Sequence, residues 1–82
     1  RDAIEAQSAA REVNEIEQRR VAALKRSWEL AKLRYTNGIA SQLDVIDAER
    51  NLLLAELNRI EAERGFRAAI ADFYKATGGR VQ

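Results

Sequence analysis

From Val45 to Phe73 the chain keeps a 3-4 spacing without a slip: positions 45, 48, 52, 55, 59, 62, 66, 69 and 73 read Val, Ala, Leu, Ala, Arg, Ala, Phe, Ala and Phe. That period places all nine residues along one narrow face of an α-helix, the seam on which a second helix packs. Small residues dominate the seam, so the partner helix can approach closely. A strand would require strict alternation over a short run, and none is present.

The rest of the chain is compatible with only one interruption. There is no proline, and the four glycines stand at 38, 65, 78 and 79. Proline is the strongest helix breaker and glycine the next, so helices are expected at about 2–36 and 42–77. Between them, Thr36-Asn37-Gly38-Ile39-Ala40-Ser41 carries both a stop and a start. Gly38 suits the left-handed position just past a helix end, with Ile39 able to fold back on Leu33. Ser41 suits the N-cap, which puts Asp44 three residues on, in the S-x-x-D arrangement of a capping box. Asn-Gly also marks β-hairpins, but its flanks here have helical periodicity. Thr77-Gly78-Gly79 reads as the second helix stop, with Lys75 in the last turn. The expected fold is all-α: a long antiparallel two-helix coiled-coil hairpin with its tip turn at 37–41. Its length would be on the order of 50 Å at roughly 1.5 Å rise per residue.

A second 3-4 series runs along the same helix, at 43, 46, 50, 53, 57 and 60, reading Leu, Ile, Arg, Leu, Leu and Ile. It lies well around the helix from the first, and one partner helix covers one stripe only. The second stripe therefore calls for another neighbour, either adjoining hairpins set side by side or the second half of a dimeric four-helix bundle. Two polar faces separate the stripes, one with Glu49, Glu56 and Glu63, the other with Asp44, Asp47, Asn51 and Asn58. The first helix is less regular. Val13, Ile16, Ala23, Leu24, Trp28, Ala31 and Tyr35 form its clearer seam, with Leu30 and Leu33 displaced from it. Near the turn, Lys32 and Arg34 should come opposite Asp44 and Asp47 and offset part of their charge.

Composition excludes several functions. An 82-residue chain is one small domain near the lower limit of self-sufficient cores, so a partner surface is expected. With no cysteine and no histidine there is no disulfide framework, thiolate metal site or imidazole chemistry. A formal charge of +1 is far from the clustered basicity that nucleic acid favours. No apolar run reaches the roughly 20 residues that span a bilayer, and the start, Arg1-Asp2-Ala3, reads as the interior of a longer protein. A two-helix rod offers little concavity for catalysis, so neither an enzyme nor a cofactor is expected. Asp44 and Asp47 at i,i+3 would hold a cation only weakly. Trp28 reads as buried packing.

From Arg34 onward the residues resemble a known family. The stretch R-Y-T-N-G-I-A-S-Q-L-D-V-I-D-A-E-R-N-L-L-L-A-E, followed by A-D-F-Y-K-A-T-G-G, is similar to the second-repeat signature of TolC-like outer-membrane factors. That signature is approximately R-Y-x-x-G-x-x-S-x-L-D-V-L-D-A-Q-R-x-L-L-x-A with a later L-Y-K-A-L-G-G. Ile46, Glu49, Phe73 and Thr77 depart from it, standing for Leu, Gln, Leu and Leu. The resemblance implies that residues 1–82 are one hairpin of the periplasmic α-barrel of a trimeric efflux or type I secretion channel in a Gram-negative outer membrane. Without the family's β-strands and first repeat, the segment would not itself insert into a membrane.

The same resemblance assigns roles at the tip. Asp44 and Asp47 match aspartates that line the periplasmic constriction, and Tyr35 matches a residue that helps lock the closed entrance. Gly38, Ile39, Ala40, Ser41 and Leu43 fall where the channel meets a periplasmic adaptor (membrane fusion) protein, which links it to an inner-membrane transporter. Plainer roles exist for the same residues: Gly38, Ser41 and Asp44 serve as caps and Leu43 as part of a stripe. Ala40 stands where some members carry an arginine that strengthens the lock. The competing readings are the adaptor's own α-hairpin, against which the L-D-V-I-D-A and Y-K-A-T-G-G segments argue, and an unrelated coiled-coil interaction module.

Overall fold

The computed structural model describes residues 3–76, and in it α1 runs Ala3–Thr36 and α2 Gln42–Ala76. The two helices pack along their length into a rod 61 × 22 × 13 Å. The expected stop at Thr77-Gly78-Gly79 lies outside the described residues. No described helix is long and apolar enough to cross a membrane.

The turn forms because backbone groups left over at the end of α1 find partners within a few residues. Gly38 has φ 76°, the left-handed conformation, and its amide donates to the Tyr35 carbonyl at 3.0 Å. The amides of Ile39 and Ala40 both donate to the Arg34 carbonyl, at 2.8 and 3.2 Å. These are the paired bonds of a Schellman motif, with Gly38 at C′. α2 then starts on the reciprocal capping box expected from Ser41 and Asp44. The Asp44 amide donates to Ser41 Oγ at 3.3 Å, and the Ser41 amide to Asp44 Oδ2 at 3.0 Å. Ile39 does not fold back on Leu33: it is 75% exposed and Leu33 is exposed too, so the turn is held by backbone and capping bonds.

Gly38→Ala should therefore lower stability by about 1 kcal/mol, or roughly 4–8 °C in Tm, through backbone strain alone, since a Cβ there meets nothing within 4 Å. Gly65→Ala, in the interior of α2 and equally unobstructed, should raise it by about 0.5–1 kcal/mol. Thermal unfolding followed by circular dichroism reads both, and the opposite signs separate turn strain from helix propensity.

The seam of α2 lies where its spacing put it, with Leu52 at 5% and Ala55 at 2% exposure and Ala69 also buried. On α1 the seam is Gln7, Ala10, Asn14, Glu17, Val21, Leu24, Trp28 and Ala31, again in unbroken 3-4 spacing. This corrects the expected register. Val13, Ile16 and Ala23 sit one residue off the seam, about 100° around the helix, and are exposed. Tyr35 continues the spacing but is 47% exposed.

Polar seam residues carry a cost. Asn14 is buried with Oδ1 unpartnered, and the indole Nε1 of Trp28 is buried without an acceptor. Unpaired buried groups of this kind each cost about 1–3 kcal/mol, and a polar residue at a seam position fixes register in exchange. Glu17 Oε1 lies 3.3 Å from Arg20 Nε, an ion-pair distance without hydrogen-bond geometry. The remaining ion pairs among the described residues run along α2: Arg59 and Arg67 both reach Glu63, at 3.4 and 2.9 Å, and Arg64 reaches Glu61 at 3.4 Å.

Candidate functional site

The candidate residues gather at one end because they are close in sequence around the turn: Tyr35 in the last turn of α1, Gly38 to Ser41 in the connection, Leu43, Asp44 and Asp47 in the first turns of α2. Two capping devices back to back leave this end little conformational freedom, so the side chains it presents are held in place. Ile39 and Leu43, at 75% and 63% exposure, make an apolar tip, and Ala40 beside them is half-buried.

The two aspartates differ in what they do locally. Asp44 is committed to the capping box. Asp47, one turn further on, is exposed and has no hydrogen bond or ion pair among the described residues. Both lie on the same side of α2, as i,i+3 residues must. The expected compensation by Lys32 and Arg34 is not formed. The Lys32 ammonium instead sits 3.7 Å above the centre of the Trp28 ring, and no ion pair joins Arg34 to either aspartate among the described residues. A cation over an indole face competes well with an exposed ion pair, which is worth only about 0–1 kcal/mol. No ion pair among the described residues therefore engages the tip's two carboxylates. Among the described residues no group of acidic side chains is arranged to hold a metal ion.

Along the shaft, the second stripe of α2 is exposed throughout its apolar members, Leu43, Ile46, Leu53, Leu57 and Ile60. In a seam-based count these residues fall on the side of α2 turned away from α1. Trp28 is half-buried in the α1 seam beneath Lys32, which makes it packing. The residues that sequence reasoning missed are the polar members of the α1 seam, Gln7, Asn14 and Glu17. Stepping back from Trp28 and Leu24 in strict 3-4 spacing finds them, whereas following apolar residues leads off the seam.

The hairpin is thus a rod with a packed seam inside, a mostly apolar stripe outside interrupted by Arg50, and a capped apolar and acidic turn at one end. The model of the family described as outer membrane efflux protein matches residues 1–79, and the chain belongs to that family. It is a component of an outer-membrane efflux channel of the TolC-like kind. No curated protein and no solved structure matches it significantly.

Proposed function

We propose that this hairpin is part of the periplasmic α-barrel of a trimeric outer-membrane efflux or type I secretion channel, with its tip at the gated periplasmic entrance. Family membership and the exposed outer stripe of α2 support the barrel position, because a barrel wall needs helices that are apolar on two sides. The observation that carries the entrance reading is the tip itself: two exposed apolar side chains, Ile39 and Leu43, on a doubly capped turn beside a carboxylate with no ion-pair partner among the described residues.

On this reading Gly38, Ile39, Ala40, Ser41 and Leu43 meet the periplasmic adaptor protein, and Asp44, Asp47 and Tyr35 face the constriction where three copies converge. Capping and docking are compatible, since Gly38 and Ser41 spend backbone and hydroxyl groups on the turn and leave its outer surface open. A contact of this kind draws most of its energy from a few apolar anchors desolvated together.

Ile39→Asp in the full-length channel should abolish export and adaptor cross-linking in cells while leaving channel trimers in the outer membrane at normal levels. Unchanged cross-linking would remove Ile39 and its neighbours from the adaptor contact.

A further inference from the structure

The turn holds a reactive pair of residues whose chemistry its capping role does not account for. Asn37 is followed by Gly38, and a glycine amide, with no side chain on its own residue to obstruct it, is the backbone nitrogen best able to attack a neighbouring asparagine side chain. The other asparagines, Asn14, Asn51 and Asn58, precede Glu15, Leu52 and Arg59 and lie inside the helices. There the following amide is tied into the helical ladder and its residue carries a bulky side chain. Asn37 is exposed, lies outside both helices, and its side-chain amide makes no hydrogen bond among the described residues.

In the folded turn the nucleophile is occupied. The Gly38 amide donates to the Tyr35 carbonyl at 3.0 Å. On either side, the Asn37 amide donates to the Leu33 carbonyl at 3.1 Å, and those of Ile39 and Ala40 to the Arg34 carbonyl at 2.8 and 3.2 Å. Attack requires the Gly38 nitrogen to lose its proton and swing toward the Asn37 side chain, and the bond to Tyr35 opposes both.

We propose that Asn37-Gly38 is a site of spontaneous covalent modification, closed while the turn is folded and reactive whenever it opens. In the open turn the Gly38 nitrogen gives its proton to solvent and bonds to the side-chain carbonyl carbon of Asn37. The bond from that carbon to the side-chain nitrogen breaks, and ammonia leaves with a proton taken from solvent. The cyclic succinimide then takes up water. Hydrolysis at the side-chain carbonyl leaves aspartate at 37; hydrolysis at the main-chain carbonyl leaves isoaspartate, with the chain continuing through the former side chain. Ammonia is lost, water is gained, and nothing is oxidised or reduced.

Either product works against the turn in which it forms. Residue 37 is the C-cap of α1, where the helix dipole is negative, so a new carboxylate there is repelled and joins Asp44 and Asp47 at the same end. Isoaspartate also inserts a methylene into the main chain, which displaces the Gly38 and Ile39 amides from the Tyr35 and Arg34 carbonyls. Modification thus removes the bonds that had held it off. The inference concerns the covalent state of the turn and holds whatever docks on the tip.

The test incubates the 82-residue chain at mildly alkaline pH with and without guanidinium chloride. Mass spectrometry of the peptide carrying residue 37 follows the exchange of amide for acid, and enzymatic methylation reads isoaspartate. Conversion should centre on Asn37 in both conditions. It should run roughly tenfold or more slower in the folded chain, because the capping bonds that must break each shift the balance between closed and open turn several-fold. Ser41→Ala removes the capping-box hydroxyl beside the turn without touching the reactive pair, and should speed conversion several-fold in the folded chain only. Circular dichroism confirms that this hairpin is intact, and Ser41→Gly, a milder loss of the same hydroxyl, replaces it if the helices are lost. Equal rates in the folded and unfolded chain, or no acceleration by the Ser41 variant, overturn control by the turn. Amide loss from Asn14, Asn51 or Asn58 in step with Asn37 overturns the choice of site.

Discussion

Leu52→Ala should cost the hairpin roughly 3 kcal/mol, whereas Leu53→Ala, one residue along, should leave its stability within about 0.5 kcal/mol of the unsubstituted chain. The two residues are chemically identical neighbours on one helix, and they differ in where the helix turns them. Leu52 is 5% exposed, and its truncation removes buried methyl groups and leaves a cavity between the helices. Leu53 is exposed and loses nothing comparable when the chain is monomeric. A domain of this size has a total stability of only about 4–12 kcal/mol at the usual 0.05–0.15 kcal/mol per residue. Its core is a single line of side chains, so one deletion removes a large share. The expected Tm falls by about 12–24 °C for Leu52→Ala, at roughly 4–8 °C per kcal/mol. Equal shifts for both variants, measured by thermal unfolding at dilutions where the chain is monomeric, would contradict the assigned seam.

The second large effect is expected at the tip of the full-length channel. Replacing Asp44 and Asp47 by Ala removes two carboxylates that have no ion-pair partner among the described residues, and conductance at the periplasmic end should rise while cation preference falls. Like charges about 4 Å apart interact by about 1 kcal/mol in bulk water and about 4 kcal/mol at an effective dielectric of 20, so a narrow ring concentrates their influence on passing ions. The two positions should contribute unequally. Asp44 accepts a hydrogen bond from the Ser41 amide, and its loss costs the start of α2 about 0.5–2 kcal/mol as well as a charge. Asp47 is free of such duties among the described residues, so Asp47→Ala alone should alter selectivity without loosening the turn.

What could be read from the sequence follows from how local each feature is. The capping bonds of the turn were legible, because a glycine at C′ and a serine three residues before an aspartate specify hydrogen bonds within a few residues of themselves; the side-chain contacts expected around it were not. The α2 seam was legible because its spacing never slips and every member but Arg59 is small or apolar. The exposed second stripe followed from the same count. The α1 seam was not legible, because Gln7, Asn14 and Glu17 occupy positions that hydrophobicity assigns elsewhere, and apolar Val13 and Ile16 lie one step away. Which row of α1 is buried depends on how the two helices pack, a property of both together. Lys32 was misplaced for a related reason: its stem and charge find the Trp28 ring one turn back, and no pattern of charge alone reveals that preference. At the tip the candidate residues lie near one another because they are neighbours in sequence, all within about two turns of helix of the connection.

The most direct test of the entrance reading is single-channel conductance of the full-length channel in planar bilayers, with and without Asp47→Ala and the Asp44→Ala, Asp47→Ala pair. A tip that forms the periplasmic constriction predicts a stepwise rise in conductance and a stepwise loss of cation preference from the single to the double variant. Conductance and ion preference indistinguishable from the unsubstituted channel in both would contradict it and remove these aspartates from the conducting path.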